Sequence, residues 1–179
     1  MLLKDGKELH IRKAVKADAQ EILDYLNIVG GESDNLLFGA NEFTMTVEQE
    51  ELFIESLRDS ETSALFGGFI RDKIVCVGSA LAPARERISH QCEIAISVLK
   101  EYWGIGVGTC LMTEVIGFAK ESGKLEVLHL GVKAENTSAI ALYRKLGFQE
   151  IGRFPRFFRI KGEYYDEILM SLHIKRALD

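Results

Sequence analysis

The sequence contains no apolar run close to the roughly 18 residues that a membrane-spanning helix needs. It also lacks an apolar leader with a small-residue cleavage site after Met1, so we expect a cytoplasmic protein that does not bind a membrane. Positive charge is not in excess, because the formal net charge is −5. This balance argues against binding to a nucleic acid and would suit a small cationic molecule instead.

Cysteine is scarce, with no Cys-x-x-Cys pair. Cys76, Cys92 and Cys110 are an odd number, which is typical of reduced, buried thiols rather than of disulfides or zinc ligands. The spacing of histidines and carboxylates does not predict a metal site either. Cys110 stands near the start of a predicted helix, which would activate a thiol, but no neighbour in the sequence offers a base. We expect it to be a buried apolar residue.

One domain over residues 1–179 is the simplest organisation, because the chain is long enough for a substantial core and no repeat or linker divides it. Apolar periodicity and turn residues predict the element order β-α-α-β-β-β-α-β-α-β-β. The predicted elements are a strand Glu8 to Val15, a helix capped by Asp18 and ended by Gly30-Gly31, a helix opened by a capping box at Thr46 to Gln49 and running through Leu57, strands Ser63 to Ile70, Lys73 to Ala82 and Arg87 to Val98, a helix of about Gly106 to Ser122, a strand Leu125 to Val132, a helix of about Thr137 to Leu146, and strands Phe148 to Ile160 and Glu163 to Ile174.

Glycines alternate between the strand that ends at Val98 and the helix that follows. Gly104, Gly106 and Gly108 allow close approach of a ligand, and the first N–H groups of the helix, with its dipole behind them, attract an anion. The segment has neither the Gly-Lys-Ser/Thr of nucleotide hydrolases nor the Gly-x-Gly-x-x-Gly of dinucleotide-binding proteins. A phosphate or pyrophosphate site of another kind is indicated, and an ordinary turn is the alternative.

The strand Arg87 to Val98 has one apolar face and one face of smaller residues on which Glu93 stands. Small neighbours leave room beside this carboxylate, and a half-buried carboxylate has a raised pKa and can act as a general base. The alternative is a solvent-exposed glutamate on the polar face of an edge strand.

A second signature, from Asn136 to Phe148, reads Asn-x-x-Ala-x-x-Leu-Tyr-x-x-x-Gly-Phe. Together with the glycine turn it resembles the GNAT superfamily of acetyl-CoA-dependent N-acetyltransferases, in which both segments have this order and spacing. The resemblance extends over nearly the whole chain. It implies an α+β fold with a mixed, mostly antiparallel sheet of about seven strands flanked by about four helices.

The resemblance also implies a cosubstrate, acetyl-CoA, and no metal. The glycine turn would cradle the pyrophosphate, the pantetheine arm would pair like an extra strand with the end of the fourth strand, and two side chains of the later helix would face the cofactor. The cofactor-binding residues would then be Val98, Leu99, Gly104, Ile105, Gly106, Val107, Gly108, Thr109, Asn136 and Tyr143. Trp103 stands where the family usually has Arg or Gln. Since the backbone makes most phosphate contacts, we expect Trp103 to weaken binding rather than abolish it, with its ring packed on the turn or against the adenine.

Direct acetyl transfer to an amine needs a base, a donor to the oxyanion and an acid for the departing thiolate. Glu93 would take the amine proton directly or through water, a backbone N–H near Val98 would hold the acetyl oxygen, and Tyr143, by the resemblance, would protonate the sulfur. Glu93 and Tyr143 are therefore the predicted catalytic residues. As alternatives, Tyr143 would only pack on the pantetheine arm, and His129 would be a rival base, although a hydrogen-bonded strand histidine is more typical.

Basic and aromatic residues alternate near the end of the chain. This pattern can bind single-stranded nucleic acid, but the negative net charge favours a solvated face with aromatic contacts to the core. The residues concerned are Arg153, Phe154, Arg156, Phe157, Phe158, Arg159 and Lys161.

These observations predict an N-acetyltransferase that moves an acetyl group from acetyl-CoA to a primary amine of a small molecule. A peptide or protein amino terminus is an alternative acceptor, and a non-catalytic CoA-binding regulatory module is a second alternative. The presence of both Glu93 and Tyr143 favours the enzyme. Glu32 to Met45, the second helix and the hairpin near Gly162 would select the acceptor, and a homodimer is left open.

Overall fold

The computed structural model describes residues 1–174, which form seven strands and four α-helices. The strands are β1 (His10–Lys13), β2 (Ala64–Ile70), β3 (Lys73–Leu81), β4 (Gln91–Val98), β5 (Val127–Lys133), β6 (Gln149–Ile160) and β7 (Glu163–His173). The helices are α1 (Ala19–Glu32), α2 (Val47–Leu57), α3 (Val107–Glu121) and α4 (Thr137–Lys145). This is the predicted order of elements, and the single-domain prediction also includes residues 175–179, which lie outside the described part.

All seven strands lie in one sheet of order β1-β2-β3-β4-β5-β7-β6. Every neighbouring pair is antiparallel except β4 and β5, which are parallel. The parallel pairing is short, from Gln91 opposite Val127 to Glu93 opposite His129, and no residue of β5 pairs with β4 beyond it. The two central strands therefore separate toward their carboxyl ends and leave a V-shaped opening, which we call the splay.

Helices cover both faces of the sheet. Leu111 of α3 packs on Gly78 of β3, where an added Cβ would lie only 3.1 Å from the leucine side chain. On the other face, Tyr25 of α1 donates a hydrogen bond from its hydroxyl to Ser97 Oγ of β4, at 3.0 Å. The core consequently lies on both sides of β3 and β4, and it fixes the strands that border the splay.

The first helix differs from the prediction at both ends. The helix continues through Gly30 and Gly31 to Glu32. Glycine at position 30 is required by packing rather than by a helix end, because a Cβ there would collide with the carbonyl of Gly39 in the loop that crosses the helix. Asp18 precedes the helix as predicted, but its carboxylate does not cap a helix amide. It accepts hydrogen bonds from Arg12 and from the Val15 amide instead.

Other boundaries shift by a few residues. The strand predicted to start at Arg87 starts at Gln91, since Glu86–Ile88 form a 3-10 turn. The capping box at the start of α2 is confirmed: Thr46 Oγ1 accepts from the Gln49 amide and Gln49 Oε1 accepts from the Thr46 amide. No helix within residues 1–174 is both long enough and apolar enough to cross a bilayer.

Candidate active site

The glycine turn between β4 and α3 has the backbone shape that only glycine adopts without strain. Gly104 has φ of 77° and Gly106 has φ of 108°, both in the left-handed region. No atom lies within 4 Å of the position that a Cβ would take at either residue. Gly108, in contrast, packs against Leu142 of α4. The turn is therefore open on one side and anchored to the fold on the other.

The amides of this turn have no internal acceptors. Within residues 1–174, none of the N–H groups from Gly104 to Thr109 donates a hydrogen bond, and the first bond of α3 runs from the Cys110 amide to the Gly106 carbonyl, at 3.0 Å. No side chain caps the helix. Consecutive unpaired donors at a helix start, with the positive end of the dipole behind them, form a site suited to an anion.

Three contacts that the sequence did not reveal hold the turn in place. The Lys4 amide donates to the Ile105 carbonyl at 3.1 Å, and Glu32 at the end of α1 accepts from the Lys100 amide at 2.6 Å. Trp103 Nε1 donates to the Val98 carbonyl at 2.7 Å, while the indole is 45% exposed. Trp103 thus ties the turn to the end of β4 rather than extending away from it.

The edge of β4 that faces the splay is unpaired beyond Glu93. The Leu99 amide donates to Val75 of β3, and because successive residues of a strand direct their N–H groups to opposite edges, the Val98 amide points toward the splay. Leu99 is buried, and its carbonyl accepts from the Tyr102 amide. Of the two residues predicted to pair with the pantetheine arm, Val98 thus has an amide directed at the opening, while its carbonyl accepts from Trp103 Nε1, and Leu99 has a backbone engaged in the fold.

Helix α4 carries the second group of predicted residues. Asn136 is its N-cap and accepts from the Ala139 amide and from the Ser138 hydroxyl. Tyr143 is 7% exposed, packs 5.9 Å from the Phe148 ring, and has a hydroxyl without a hydrogen bond among the described residues. Burial raises the pKa of Tyr143 to about 12. The phenol is therefore protonated at neutral pH and able to donate a proton.

Glu93 lies at the last paired position of β4, next to His129 of β5 on the same face of the sheet. The structure agrees only in part with each of the two settings predicted for Glu93. The residue is exposed rather than half-buried, and β4 is a central strand rather than an edge strand. The sequence reasoning missed Glu167 of β7, which is 8% exposed and beside the same face. Burial, and next the charge of Glu93, raise the pKa of Glu167 above its ordinary value.

The remaining candidates have structural roles. Cys76 and Cys92 are free and buried, and burial raises the pKa of both thiols to about 12. Cys110 is also free, but it is only partly buried and not the buried residue that was predicted. Within the described part of the chain, no cluster of His, Cys, Asp and Glu could hold a metal ion.

The basic residues near the end of the chain have partners within the fold. Arg153 Nε contacts Asp166 at 2.7 Å, and the guanidinium of Arg156 lies over the Tyr164 ring at 4.0 Å. Of the three phenylalanines expected to contact the core, only Phe158 is buried, whereas Phe154 and Phe157 are exposed. These residues lie on β6, the last strand of the sheet, which pairs only with β7 among the described strands.

A cavity of about 820 Å³ lies beside β1, away from the splay. Arg12, Asp18 and Glu21 line it, but the first two bond each other and Glu21 accepts from the Ile74 amide. These three side chains are thus engaged in the fold, and none of the predicted site residues lines the cavity.

Comparison with known proteins identifies the family. The model of the acetyltransferase (GNAT) family matches residues 35–148 of the chain. The chain belongs to the GNAT family. This confirms the predicted family, fold class and enzyme class, and the protein is a GNAT acetyltransferase.

Individual GNAT relatives extend the match to almost the full chain. An N-alpha-acetyltransferase of Sulfurisphaera tokodaii is 30% identical over 168 residues, which cover 94% of this chain and 95% of that protein. The crystal structure of a GNAT acetyltransferase from Streptococcus pneumoniae is 33% identical, with a TM-score of 0.91, and covers 93% of this chain and 100% of that one. A putative acetyltransferase from Salmonella typhimurium, solved with its cofactor acetyl-CoA, shares the fold at 19% identity and a TM-score of 0.82, covering 96% of both chains.

Proposed function

We propose that this GNAT acetyltransferase transfers an acetyl group from acetyl-CoA to a primary amine of a small molecule by direct attack of the amine on the thioester. The unpaired amides from Gly104 to Thr109 are the observation that carries the proposal. Consecutive N–H donors at the start of α3 fit the pyrophosphate of CoA, since each anionic oxygen can accept from the backbone. Gly104, Ile105, Gly106, Val107, Gly108 and Thr109 would hold it.

The free edge of β4 would receive the pantetheine arm. The arm carries amide groups, which can pair with a strand edge as another strand would, and the Val98 backbone is directed at the splay where this pairing would occur. Leu99 would contribute by fixing the strand end in the core rather than by its own hydrogen bonds. The side-chain amide nitrogen of Asn136 is free to face the cofactor while the oxygen caps α4.

Acetyl-CoA supplies a thioester carbonyl, and the chain would supply the proton transfers. Glu93 would accept the proton of the amine, directly or through water, and a backbone N–H near Val98 would stabilise the oxyanion. Tyr143 would donate its proton to the departing sulfur, because its hydroxyl is buried, unpaired within residues 1–174 and protonated at neutral pH. His129 stays a rival to Glu93 as base.

A small acceptor is supported by a contact between the β6–β7 hairpin and the loop after α1. Lys161 Nζ, at the tip of the β6–β7 hairpin, lies 3.2 Å from Asp34 Oδ2 in the loop after α1. These are two of the segments predicted to select the acceptor, and their contact narrows the space between them. The pair is exposed, so it would open at little cost in free energy.

The amino terminus of a peptide is the second candidate acceptor. It is favoured by the relative from Sulfurisphaera tokodaii, which is named an N-alpha-acetyltransferase and matches nearly the full chain. A cytoplasmic location stays a prediction, and a homodimer stays open.

The test is a turnover assay that follows release of the CoA thiol from acetyl-CoA. Spermidine, single amino acids, an aminoglycoside and a hexapeptide that begins with alanine would be compared as acceptors. Turnover with a small amine supports the main proposal, turnover with the hexapeptide alone supports the second candidate, and absence of acetyl-CoA binding by calorimetry would contradict both.

A further inference from the structure

Glu167 is a largely buried residue whose carboxylate has no partner among the described residues. It is 8% exposed and has neither a hydrogen bond nor an ion pair with any residue of the described chain. Lys133 stands opposite it in the β5–β7 register, but the Lys133 ammonium lies over the Tyr165 ring, 3.9 Å from the ring centroid. A carboxylate that is partly withdrawn from water and has no partner costs free energy, and such groups concentrate at functional sites.

The carboxylate lies at the apex of the splay. Its side chain crosses β5 over Gly131, where an added Cβ would collide with Glu167 Oε1. Gly131 is two residues beyond His129, the last residue of β5 that pairs with β4, so Oε1 reaches the point where the two strands begin to separate. Because side chains two residues apart in a strand share a face, this is also the face of Glu93.

We propose that the proton from the ammonium group of the acceptor reaches Glu93 through Glu167: Glu167 accepts it from the nitrogen, and Glu93 receives it from Glu167 and passes it on to solvent. The proposal rests on the proposed function, since it requires an amine to enter the splay. The buried Glu167 is next to the point of attack, and the exposed Glu93 borders both Glu167 and water. The charge of Glu93 also favours the protonated form of Glu167, which raises its pKa toward the range of an effective base.

The proton balance assigns one task to each group. The acceptor enters as R–NH3⁺ and gives one proton to Glu167, which leaves a neutral amine with a free electron pair. The amine nitrogen forms a bond to the acetyl carbon, and the bond from that carbon to sulfur breaks. Tyr143 then gives its proton to the departing sulfur, the nitrogen releases its second proton to water, and Tyr143 regains a proton from that water. Glu93 passes the first proton to solvent, so each turnover releases one proton.

Substitution of Glu167 by Gln tests the assignment with little change in shape. For Glu167→Gln we expect kcat to fall about 100-fold, while the Kd for acetyl-CoA stays unchanged. The increase of kcat/KM with pH that accompanies deprotonation of Glu167 should be lost. Glu167→Asp keeps the charge and should recover part of the rate. Glu121→Gln is the control, because Glu121 is exposed at the opposite end of α3 from the glycine turn and lies outside the segments predicted to select the acceptor.

Glu93→Gln gives a second readout, the pH dependence of turnover, which should stay unchanged if Glu167 has only a structural role. Removal of the Glu93 charge should lower the pKa of Glu167, so the rising limb of the pH profile should move to lower pH while kcat falls by about tenfold, less than for a positioned base. Turnover of Glu167→Gln close to that of the wild type, or a limb that Glu93→Gln leaves in place, would overturn the proposal.

Failure of the proposed function gives a different result. If the wild-type protein acetylates neither spermidine nor the alanine hexapeptide, the proposed function fails, and the Glu167 assignment fails with it. If the wild type turns over one of them and Glu167→Gln does so equally well, only the Glu167 assignment is wrong.

Discussion

Burial decides what Tyr143 can do. Its hydroxyl lies in an apolar setting that disfavours the phenolate, and its pKa of about 12 keeps the proton in place over the whole working range of pH. A group of this kind acts as an acid only when an adjacent atom becomes strongly basic. A departing thiolate is such an atom, so the environment of Tyr143 agrees with the role proposed for it.

The Tyr143→Phe variant should therefore lose rate rather than affinity. We expect kcat to fall by about 100-fold, as for the loss of a general acid, and calorimetry should give an unchanged Kd for acetyl-CoA. Tyr164→Phe removes an exposed phenol from β7 and should leave both quantities unaltered. A wild-type kcat for Tyr143→Phe would reduce this tyrosine to a packing residue.

Single residues differ in how far the sequence reveals them. Gly104 and Gly106 were recognised because the cause of their conformation is local: a turn next to a helix start. Glu167 could not be recognised, because its importance depends on Gly131, a residue of another strand that leaves space for it. Only the register of β5 and β7 brings the two together.

At the scale of elements, the glycine turn and helix α3 act as one anion-binding unit. Gly106 supplies a left-handed residue just before the first helical position, and this conformation aims the following amides outward. A side chain at Gly106 would meet no atom, so its whole effect would come through the backbone.

Gly106→Ala should lower the free energy of unfolding by about 1 to 2 kcal/mol, the cost of a left-handed alanine. Loss of one charge-assisted hydrogen bond, about 1.5 kcal/mol, should weaken acetyl-CoA binding about tenfold. Gly117→Ala is the control, since Gly117 lies inside α3 with open space around it and alanine there should stabilise by up to about 1 kcal/mol. Equal unfolding curves and equal Kd values for the two variants would show that the turn does not depend on glycine.

Helix α2 depends on its capping box. Thr46→Ala removes the side-chain oxygen that accepts from the Gln49 amide and should cost about 1 kcal/mol, which calorimetry would detect as a fall in Tm of about 2 to 4 °C. Thr46→Ser keeps the oxygen and should melt close to the wild type. Equal melting of all three proteins would mean that the box adds nothing to the fold.

The end of α1 shows why a predicted element boundary can be wrong. Gly30 and Gly31 are a helix-ending signal by composition, yet α1 continues through both. Gly30 is present because the loop carrying Gly39 crosses the helix and leaves no room for a Cβ. The box at Thr46 was right because all of its hydrogen bonds form within four residues. Local chemistry was predictable, whereas packing between distant segments was not.

At the scale of the whole molecule, the ion pair between Arg12 and Asp18 links β1 to the start of α1. Arg12, and then the Val15 amide, hold the pKa of Asp18 below its ordinary value of 3.8, although burial opposes them. Because the folded-state pKa is lower than the unfolded one, the pair stabilises the fold above pH 3.8, and its contribution is lost as the pH falls through the folded-state value.

Asp18→Asn should lower the free energy of unfolding at pH 7 by about 2 kcal/mol, since a hydrogen-bonded charge loses its partner. Its urea unfolding should also depend less on pH below 4 than that of the wild type. Asp24→Asn, an exposed substitution on α1, should stay within about 0.5 kcal/mol of the wild type. Parallel acid profiles for wild type and Asp18→Asn would contradict this account.

The exact position of the splay is the whole-molecule feature that residue patterns could not supply, although the resemblance implied that the fourth strand diverges from the fifth near Val98. The sheet class and the element order followed from periodicity and from the resemblance, but the end of β4–β5 pairing at Glu93 depends on the packing of several elements. The link from the Lys4 amide to Ile105 is equally non-local. Both features arise only once the chain is folded, and both border the proposed site.

Trp103 gives the molecule a built-in optical reporter. It is the only tryptophan in the chain, and its indole is half in water and hydrogen-bonded at the mouth of the proposed cofactor cleft. All indole fluorescence therefore originates from this one position. Titration with acetyl-CoA should change the intensity or colour of that emission, so occupancy can be followed in the unlabelled protein before any acceptor is known.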